Sequence, residues 1–219
     1  MYYICNMRTM IRSTEFDEFY NSLPANVQNK VKYAMNILAD VKVVNTKLVK
    51  KLVDTDFYEL RISVGNEYRV ILFTIDHENF IEAEQILLLN GFMKKSTKDY
   101  KKEIQKAEQI FKQFTAMRPK IDINKLKHLP TTEDMFVDEY GAKGTALRDE
   151  FDAKSRAWYY AEVLKNARKA AGITQQQLAD KIGKKREYVA MLEKGETDMQ
   201  LSTFIMISEA VGLKFALTY

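Results

Sequence analysis

The chain has little of what covalent, metal-based or membrane architectures require. A single cysteine, Cys5, stands among 219 residues, which excludes an internal disulfide framework and fits a reducing compartment. The two histidines, His77 and His128, both fall in loop-like sequence, and no group of Asp, Glu, His or Cys has metal-ligand spacing. Metal-assisted hydrolysis is therefore disfavoured, and neither a metal nor another cofactor is expected. No apolar run approaches the roughly 20 residues that a transmembrane helix needs. The opening MYYICNMRTMIR lacks the apolar core of a signal peptide, and no internal repeat or low-complexity tract is found. Charge of one sign is scarce: 34 basic against 30 acidic residues leave a net +4, so any nucleic-acid surface must come from local clustering. The expectation is a cytoplasmic protein with no membrane partner. Its hydrophobic content of 46% and charged content of 29% are those of a soluble globular chain with a sizeable core, and its length suits two domains.

What is present is clearest at residues 173–195, ITQQQLADKIGKKREYVAMLEKG. Thr174 followed by Gln177 is a capping box that satisfies the free N–H groups at a helix start. Leu178, Ala179 and Ile182 form the apolar stripe of that helix, and Gly183 ends it. A second helix follows from about residue 185, with Val189 and Leu192 turned inward and Gly195 as its stop. Lys184, Lys185, Arg186 and Glu187 present polar side chains at its N-terminal end, as a helix entering the major groove requires. The plain alternative is an ordinary helical hairpin.

From the beginning of the chain, residues 2–11 read as a ragged first strand. Residues 15–23 and 25–41 read as two helices joined around Pro24, the first with Phe16 and Phe19 on one face, the second with Val27, Val31, Ala34, Ile37, Leu38 and Val41 at helical spacing. After a basic connector at 47–52 the period changes to two. Residues 57–64, 68–75 and 80–89 read as three strands of an antiparallel meander, with turns at Gly65-Asn66 and 76–79 and a stop at Asn90-Gly91. A helix over 97–114 follows, with Ile104, Ala107, Phe111 and Phe114 inward. Around 115–130 lie two of the three prolines, little periodicity, and Met117, which reads like a start codon inside a longer chain. Residues 131–140 are acidic with apolar anchors at Met135, Phe136, Val137 and Tyr140. Thr145 is expected to cap a helix carrying Phe151 and Trp158. One more helix starts at Ser202, and 213–219 read as a short terminal strand.

The chemistry of the first half gathers on the strands. In FYELRIS the strand period puts Glu59 and Arg61 on one face. Arg69 lies amid apolar sequence, where a charge needs a partner or a purpose, and Lys94 and Lys95 sit at the exit of the third strand. Each alone has a bland reading, as an ion pair or a solvated face. Together they could line a cationic, concave patch holding one acid, which suits phosphodiester chemistry: arginines hold the phosphate while a carboxylate takes the proton of a ribose 2′-hydroxyl.

Three resemblances organise these observations. The stretch 173–195 resembles the helix-turn-helix of the Xre/Cro repressor family, with its T-Q-x-x-L-A-x-x-x-G and L-E-x-G landmarks. FYNSLP, LVKKL, FYELRISVGNEYRVILF and LLLNGFMKKSTKDYKKEIQKA are similar to the HigB branch of the RelE/ParE toxin superfamily. GTALRDEF, AEVLKNARK and QLSTFIMISEAVGL, with the helix-turn-helix, are similar to the HigA antitoxin. The resemblance implies an α+β RelE-like domain, a helical hairpin packed on a small antiparallel sheet, followed by an all-α helix-turn-helix domain. The expected boundaries are a toxin domain over 1–116, a linker and neutralising segment over 117–144, and an antitoxin domain over 145–219.

The implied activity is that of a metal-independent, ribosome-dependent mRNA endonuclease, held inactive by a DNA-binding domain that represses its own operon. Arg69 matches a phosphate-binding arginine, Glu59 stands where relatives place a general base, and Lys94 or Lys95 falls near a basic transition-state residue. Tyr100 corresponds to a functional tyrosine of some relatives. In the second half the family contacts bases at the positions of Arg186 and Glu187. Arg186 suits guanine and Glu187 a cytosine amino group. Tyr188 and Met191 can add contacts to thymine methyls, while Gln175, Lys184, Lys185 and Lys194 are placed for phosphates. The expected partners are ribosome and mRNA for the first domain, operator DNA for the second, and a toxin–antitoxin contact within or between chains. One reader helix covers few base pairs, so a homodimer on a palindrome is expected. Two alternatives stand beside this reading: a transcriptional regulator whose first domain is a catalytically inactive sensor or dimerisation platform, and a gyrase-directed toxin like the ParE branch.

Overall fold

The computed structural model describes residues 8–116, 118–195 and 197–213. They form two compact units, 1–152 and 153–219, which divide inside a long helix.

The first unit is built on a five-stranded sheet of β1 (Thr9–Arg12), β2 (Val49–Lys51), β3 (Phe57–Val64), β4 (Asn66–Thr74) and β5 (Gln85–Met93), in the order β1-β5-β4-β3-β2. Ser13 caps α1 (Thr14–Asn21) by accepting the Phe16 N–H, and Pro24 stands immediately before α2 (Ala25–Asp40). Strand alternation divides the core. Phe57, Ile71, Leu87 and Leu89 form one cluster with Ala107 and Ile110 of α3 (Thr97–Phe114). Leu60, Val70, Leu72, Ile86 and Leu88 are buried among the remaining core residues. Arg8, 5% exposed, is sunk in carbonyl oxygens, donating to those of Leu38, Val41, Ala83 and Phe80. It ties the end of α2 to the loop before β5.

The α1–α2 hairpin, β3 and α3 follow the sequence reading; four features depart from it. The sheet is mixed rather than antiparallel, because β1 pairs in parallel with β5. The basic connector contains β2, which is only three residues long and takes its partners from β3. The third strand of the meander starts at Gln85 rather than residue 80, and it runs through Asn90-Gly91 to Met93. Gly91 is there for space: a Cβ on it would stand 2.1 Å from Cδ1 of Phe19. Finally, the stretch read as aperiodic holds a hairpin, β6 (Thr115–Ala116) and β7 (Arg118–Ile121), and α4 (Ile123–Leu126), whose Leu126 joins the α3 cluster. Residues 2–7 of the expected first strand, and Met117, lie outside the described residues.

The acidic segment folds as α5 (Thr132–Tyr140), started by a Thr131–Asp134 capping box. It lies beside β1, where Thr131 bridges Ile11 and the Arg12 N–H donates to the Pro130 carbonyl. Phe136 is fully buried. Glu139 pairs with Lys32 of α2, and Tyr140 stacks on Phe151 with centroids 4.1 Å apart. Arg148, with no exposed surface, grips Glu133 through both terminal nitrogens at 2.9 and 2.8 Å and Asp152 through Nε at 3.0 Å. Asp152 in turn accepts from Asn36 of α2 at 3.0 Å. Thr145 accepts the Arg148 N–H at the start of α6 (Ala146–Ala170), the helix in which the units divide.

In the second unit α7 (Gln175–Lys181), α8 (Arg186–Lys194) and α9 (Leu201–Ala210) close around Leu164, Leu178, Ala179, Ile182, Val189, Leu192 and Ile207. The Thr174–Gln177 capping box is formed, and Gly195 ends α8 in the left-handed region at φ +68°. The terminal strand expected over 213–219 lies outside the described residues from 214 onward. Among the described residues no helix is long and apolar enough to cross a membrane.

Candidate functional site

In the first unit the register sets Arg61 of β3 opposite Arg69 of β4, with Glu59 one pleat along on the same face. Glu59 is the hub. It is 2% exposed, and Arg61 Nε donates to its Oε1 at 2.6 Å while the Tyr100 hydroxyl, from the first turns of α3, donates to Oε2 at 2.6 Å. Arg69 Nε stands 3.6 Å from the same Oε2, an ion pair without a hydrogen bond. Burial, then the bond to Glu59, pushes the Tyr100 phenol well above the ordinary tyrosine range. Arg69, itself buried, is held by two further contacts: NH1 donates to the Tyr68 carbonyl at 2.8 Å and NH2 to Glu67 Oε2 at 2.9 Å. Lys94 Nζ lies over the Tyr100 ring, 5.4 Å from its centroid.

The structure thus brings Glu59, Arg61, Arg69, Lys94 and Tyr100 together. Lys95 is exposed, and no bond ties it to the cluster. Chemically, the arrangement is a cationic face whose buried anion orients three neighbours. An ionised carboxylate has about four acceptor positions; in Glu59 Arg61 engages Oε1 and Tyr100 engages Oε2, with the Arg69 charge 3.6 Å from Oε2. Two members were missed in the sequence. Glu67, at the start of β4, accepts from Arg69 and from Ser63 Oγ at 2.6 Å. Burial works to raise its pKa, but the bonds from Ser63 and Arg69 and the charges of Arg69 and Lys94 prevail and hold it below the usual carboxylate value. Its signal was available, since the period of two in NEYR sets Glu67 and Arg69 on one face. Lys50 of β2 registers opposite Glu59 and is exposed; a strand this short has no period to reveal it. Among the described residues no three His, Cys, Asp or Glu converge as a metal site.

In the second unit Lys185 precedes α8 without a side-chain cap bond, and Lys184, Lys185, Arg186, Glu187, Met191 and Lys194 are exposed along the helix and the turn before it. Tyr188 is half-buried with Lys184 Nζ over its ring at 5.7 Å. Gln175 differs: its amide donates to Glu193 Oε2 at 2.8 Å, which turns it inward. Glu193 is buried and also accepts from Arg168 NH2 at 3.0 Å, while Arg168 NH1 donates to the Ile173 carbonyl at 2.6 Å. Glu193 thus joins α8 both to α6, through Arg168, and to the start of α7, through Gln175.

Comparison with known families agrees with this division. Residues 18–112 match the family described as phage derived protein, Gp49-like, and residues 164–217 match the helix-turn-helix family. No curated protein matches the chain. A Gp49-like domain holding the Glu59 cluster therefore precedes a helix-turn-helix domain holding the α8 surface.

Proposed function

We propose that this chain, a Gp49-like domain joined to a helix-turn-helix domain, is a cytoplasmic toxin–antitoxin protein. On this reading residues 1–116 are a ribosome-dependent, metal-independent mRNA endonuclease, 117–144 a neutralising segment, and 145–219 an antitoxin that binds its own operator as a homodimer. The observation that carries the reading is the Arg61–Arg69–Lys94 face around Glu59 and Tyr100, within the stretch that matches the Gp49-like family. Arg69 and Arg61 would bind the scissile phosphate and stabilise the charge that develops on it, and Lys94 adds a further cation. The buried Glu59 carboxylate, which Tyr100 orients by its hydroxyl, would accept the 2′-hydroxyl proton. The packing of α5 and the first turns of α6 on β1 and α2 supports the neutralising role, by a contact of the kind a folded inhibitor makes.

A second reading, a transcriptional regulator with a catalytically inactive first domain, is favoured by one observation: both carboxylate oxygens of Glu59 already accept a hydrogen bond, from Arg61 and from Tyr100. One experiment separates them. Because Leu126 belongs to the core, the fragment to express is 1–130, which keeps α4 and lacks α5 and all that follows. Growth arrest with codon-specific cuts in mRNA, absent with the full chain and reduced about 10²–10³-fold by Arg69→Ala, supports the nuclease. A folded fragment that leaves mRNA intact supports the regulator.

A further inference from the structure

Two carboxylates share the cationic face, and they differ in what they can do. The Glu59 side chain is 3% exposed and locked, whereas that of Glu67 is 52% exposed. Glu67 uses two of its acceptor positions, for Ser63 Oγ at 2.6 Å and Arg69 NH2 at 2.9 Å, with the Lys94 charge acting on it as well. A guanidinium edge, a hydroxyl and an ammonium are the donors by which proteins hold phosphate. Arg69 does not depend on this partner for its place, since NH1 is bonded to the Tyr68 carbonyl and Nε faces Glu59. Its solvent-side edge would stay put if Glu67 swung out.

We propose that Glu67 is a resident anion on the phosphate-binding edge of Arg69, filling the position of an RNA phosphate and leaving when RNA binds. The proposal rests on the RNA-cleaving reading above and deepens it. Each phosphate gained by Arg69 then costs a carboxylate–guanidinium pair, so a lone phosphate gains little. A polyanion that also engages Arg61 and Lys94 displaces Glu67 readily. The carboxylate weakens every phosphate ligand by the same pair, so a lone phosphate stays off the face while a polyanion with further contacts still binds.

The test uses the full chain and two probes, inorganic phosphate and a short RNA carrying 2′-O-methyl groups, with binding measured by calorimetry for wild type, Glu67→Asp, Glu67→Gln and Arg69→Ala. Glu67→Asp keeps the charge but is one methylene too short to hold Arg69 NH2. If Glu67 is a resident anion, both Glu67 variants bind inorganic phosphate about two- to fivefold more tightly, the worth of a partly exposed ion pair. Tightening in Glu67→Gln alone would be a long-range charge effect and overturns the proposal, as does no tightening in either. The RNA arm separates this failure from failure of the underlying reading. Arg69→Ala that binds the RNA as well as wild type removes the phosphate role of Arg69, and the proposal with it. Arg69→Ala that binds poorly while Glu67→Asp matches wild type overturns the resident anion alone. Unchanged thermal melting of Glu67→Asp establishes that its fold is kept.

Discussion

The Tyr100 hydroxyl donates to Glu59 Oε2 over 2.6 Å, and this bond joins the start of α3 to the middle of β3. Through Glu59 it also fixes Arg61 and Arg69, so four side chains from three elements move as one group. Removing the carboxylate leaves Arg69, 7% exposed, without the anion beside its Nε. Glu59→Ala should therefore lower stability by about 2–3 kcal/mol, less than the loss of a sole buried partner, because Arg69 keeps Glu67 and the Tyr68 carbonyl. Tyr100→Phe, which only leaves an acceptor short of one donor, should cost about 1–3 kcal/mol. Urea denaturation of the full-length variants checks both. A loss below about 1 kcal/mol for Glu59→Ala would show that the cluster contributes no cohesion.

Much of this arrangement was legible in FYELRIS, because strand alternation alone sets Glu59 and Arg61 on one face. The α3 boundaries were legible for a similar reason: eighteen residues at helical spacing carry their own signal. What could not be read were features set by distant partners. Asn90-Gly91 looks like a strand end until the Phe19 ring is seen against Gly91, where any larger residue would clash. The strand β2 exists because β3 offers it hydrogen bonds, not because three residues prefer it. Gln175 has the polarity of a phosphate contact, but the buried Glu193 decides where its amide points. Periodicity reports faces; it does not report which neighbour waits on them.

The tyrosines predict an alkaline limit. Burial first, and then the Glu139 charge, push the Tyr20 phenol up to about 12 against an opposing effect of Arg12. Tyr100 and Tyr140 are raised as well, chiefly by burial and then by their bonds to Glu59 and Glu139. Unfolded tyrosines ionise near pH 10, so the folded state keeps protons that the unfolded state loses. This stabilisation is fully present below about pH 10 and is lost as the pH rises through the folded values. Phenolate absorbance followed beside circular dichroism should show the last phenols ionising together with loss of structure. Complete ionisation near pH 10 with the fold intact would contradict it.

The seat of α5 is testable at Lys32. Its ammonium is buried, paired with Glu139 and set under the Tyr140 ring at 5.1 Å. Glu139→Ala strands that charge, at a cost of about 1–3 kcal/mol, less than for a wholly buried pair because the Glu139 side chain is 45% exposed. Lys32→Met in the same background should recover most of the loss by removing the stranded charge. Amide hydrogen exchange should quicken in Thr132–Tyr140 in Glu139→Ala and slow again in the double variant. Equal exchange in all three proteins would mean that this pair does not hold the helix.

The helix-turn-helix makes the sharpest distinction between side chains that look alike in sequence. Arg186 opens α8 and is exposed, with the geometry to donate two bonds to guanine. Arg186→Ala should cost about 1–3 kcal/mol of operator affinity and relax preference at one base position. Lys184, exposed in the turn before α8, suits a phosphate, so Lys184→Ala should weaken binding to all sequences alike and reduce the logarithmic salt slope by about 0.9. Gln175→Ala should leave that slope unchanged, because its amide serves Glu193 at 2.8 Å; its effect belongs to the melting temperature. Binding titrations over a range of salt, on operator and on random DNA, measure all three. If Gln175→Ala flattens the slope as Lys184→Ala does, its amide leaves Glu193 for the DNA backbone, and the inward bond is only the resting position of a phosphate contact.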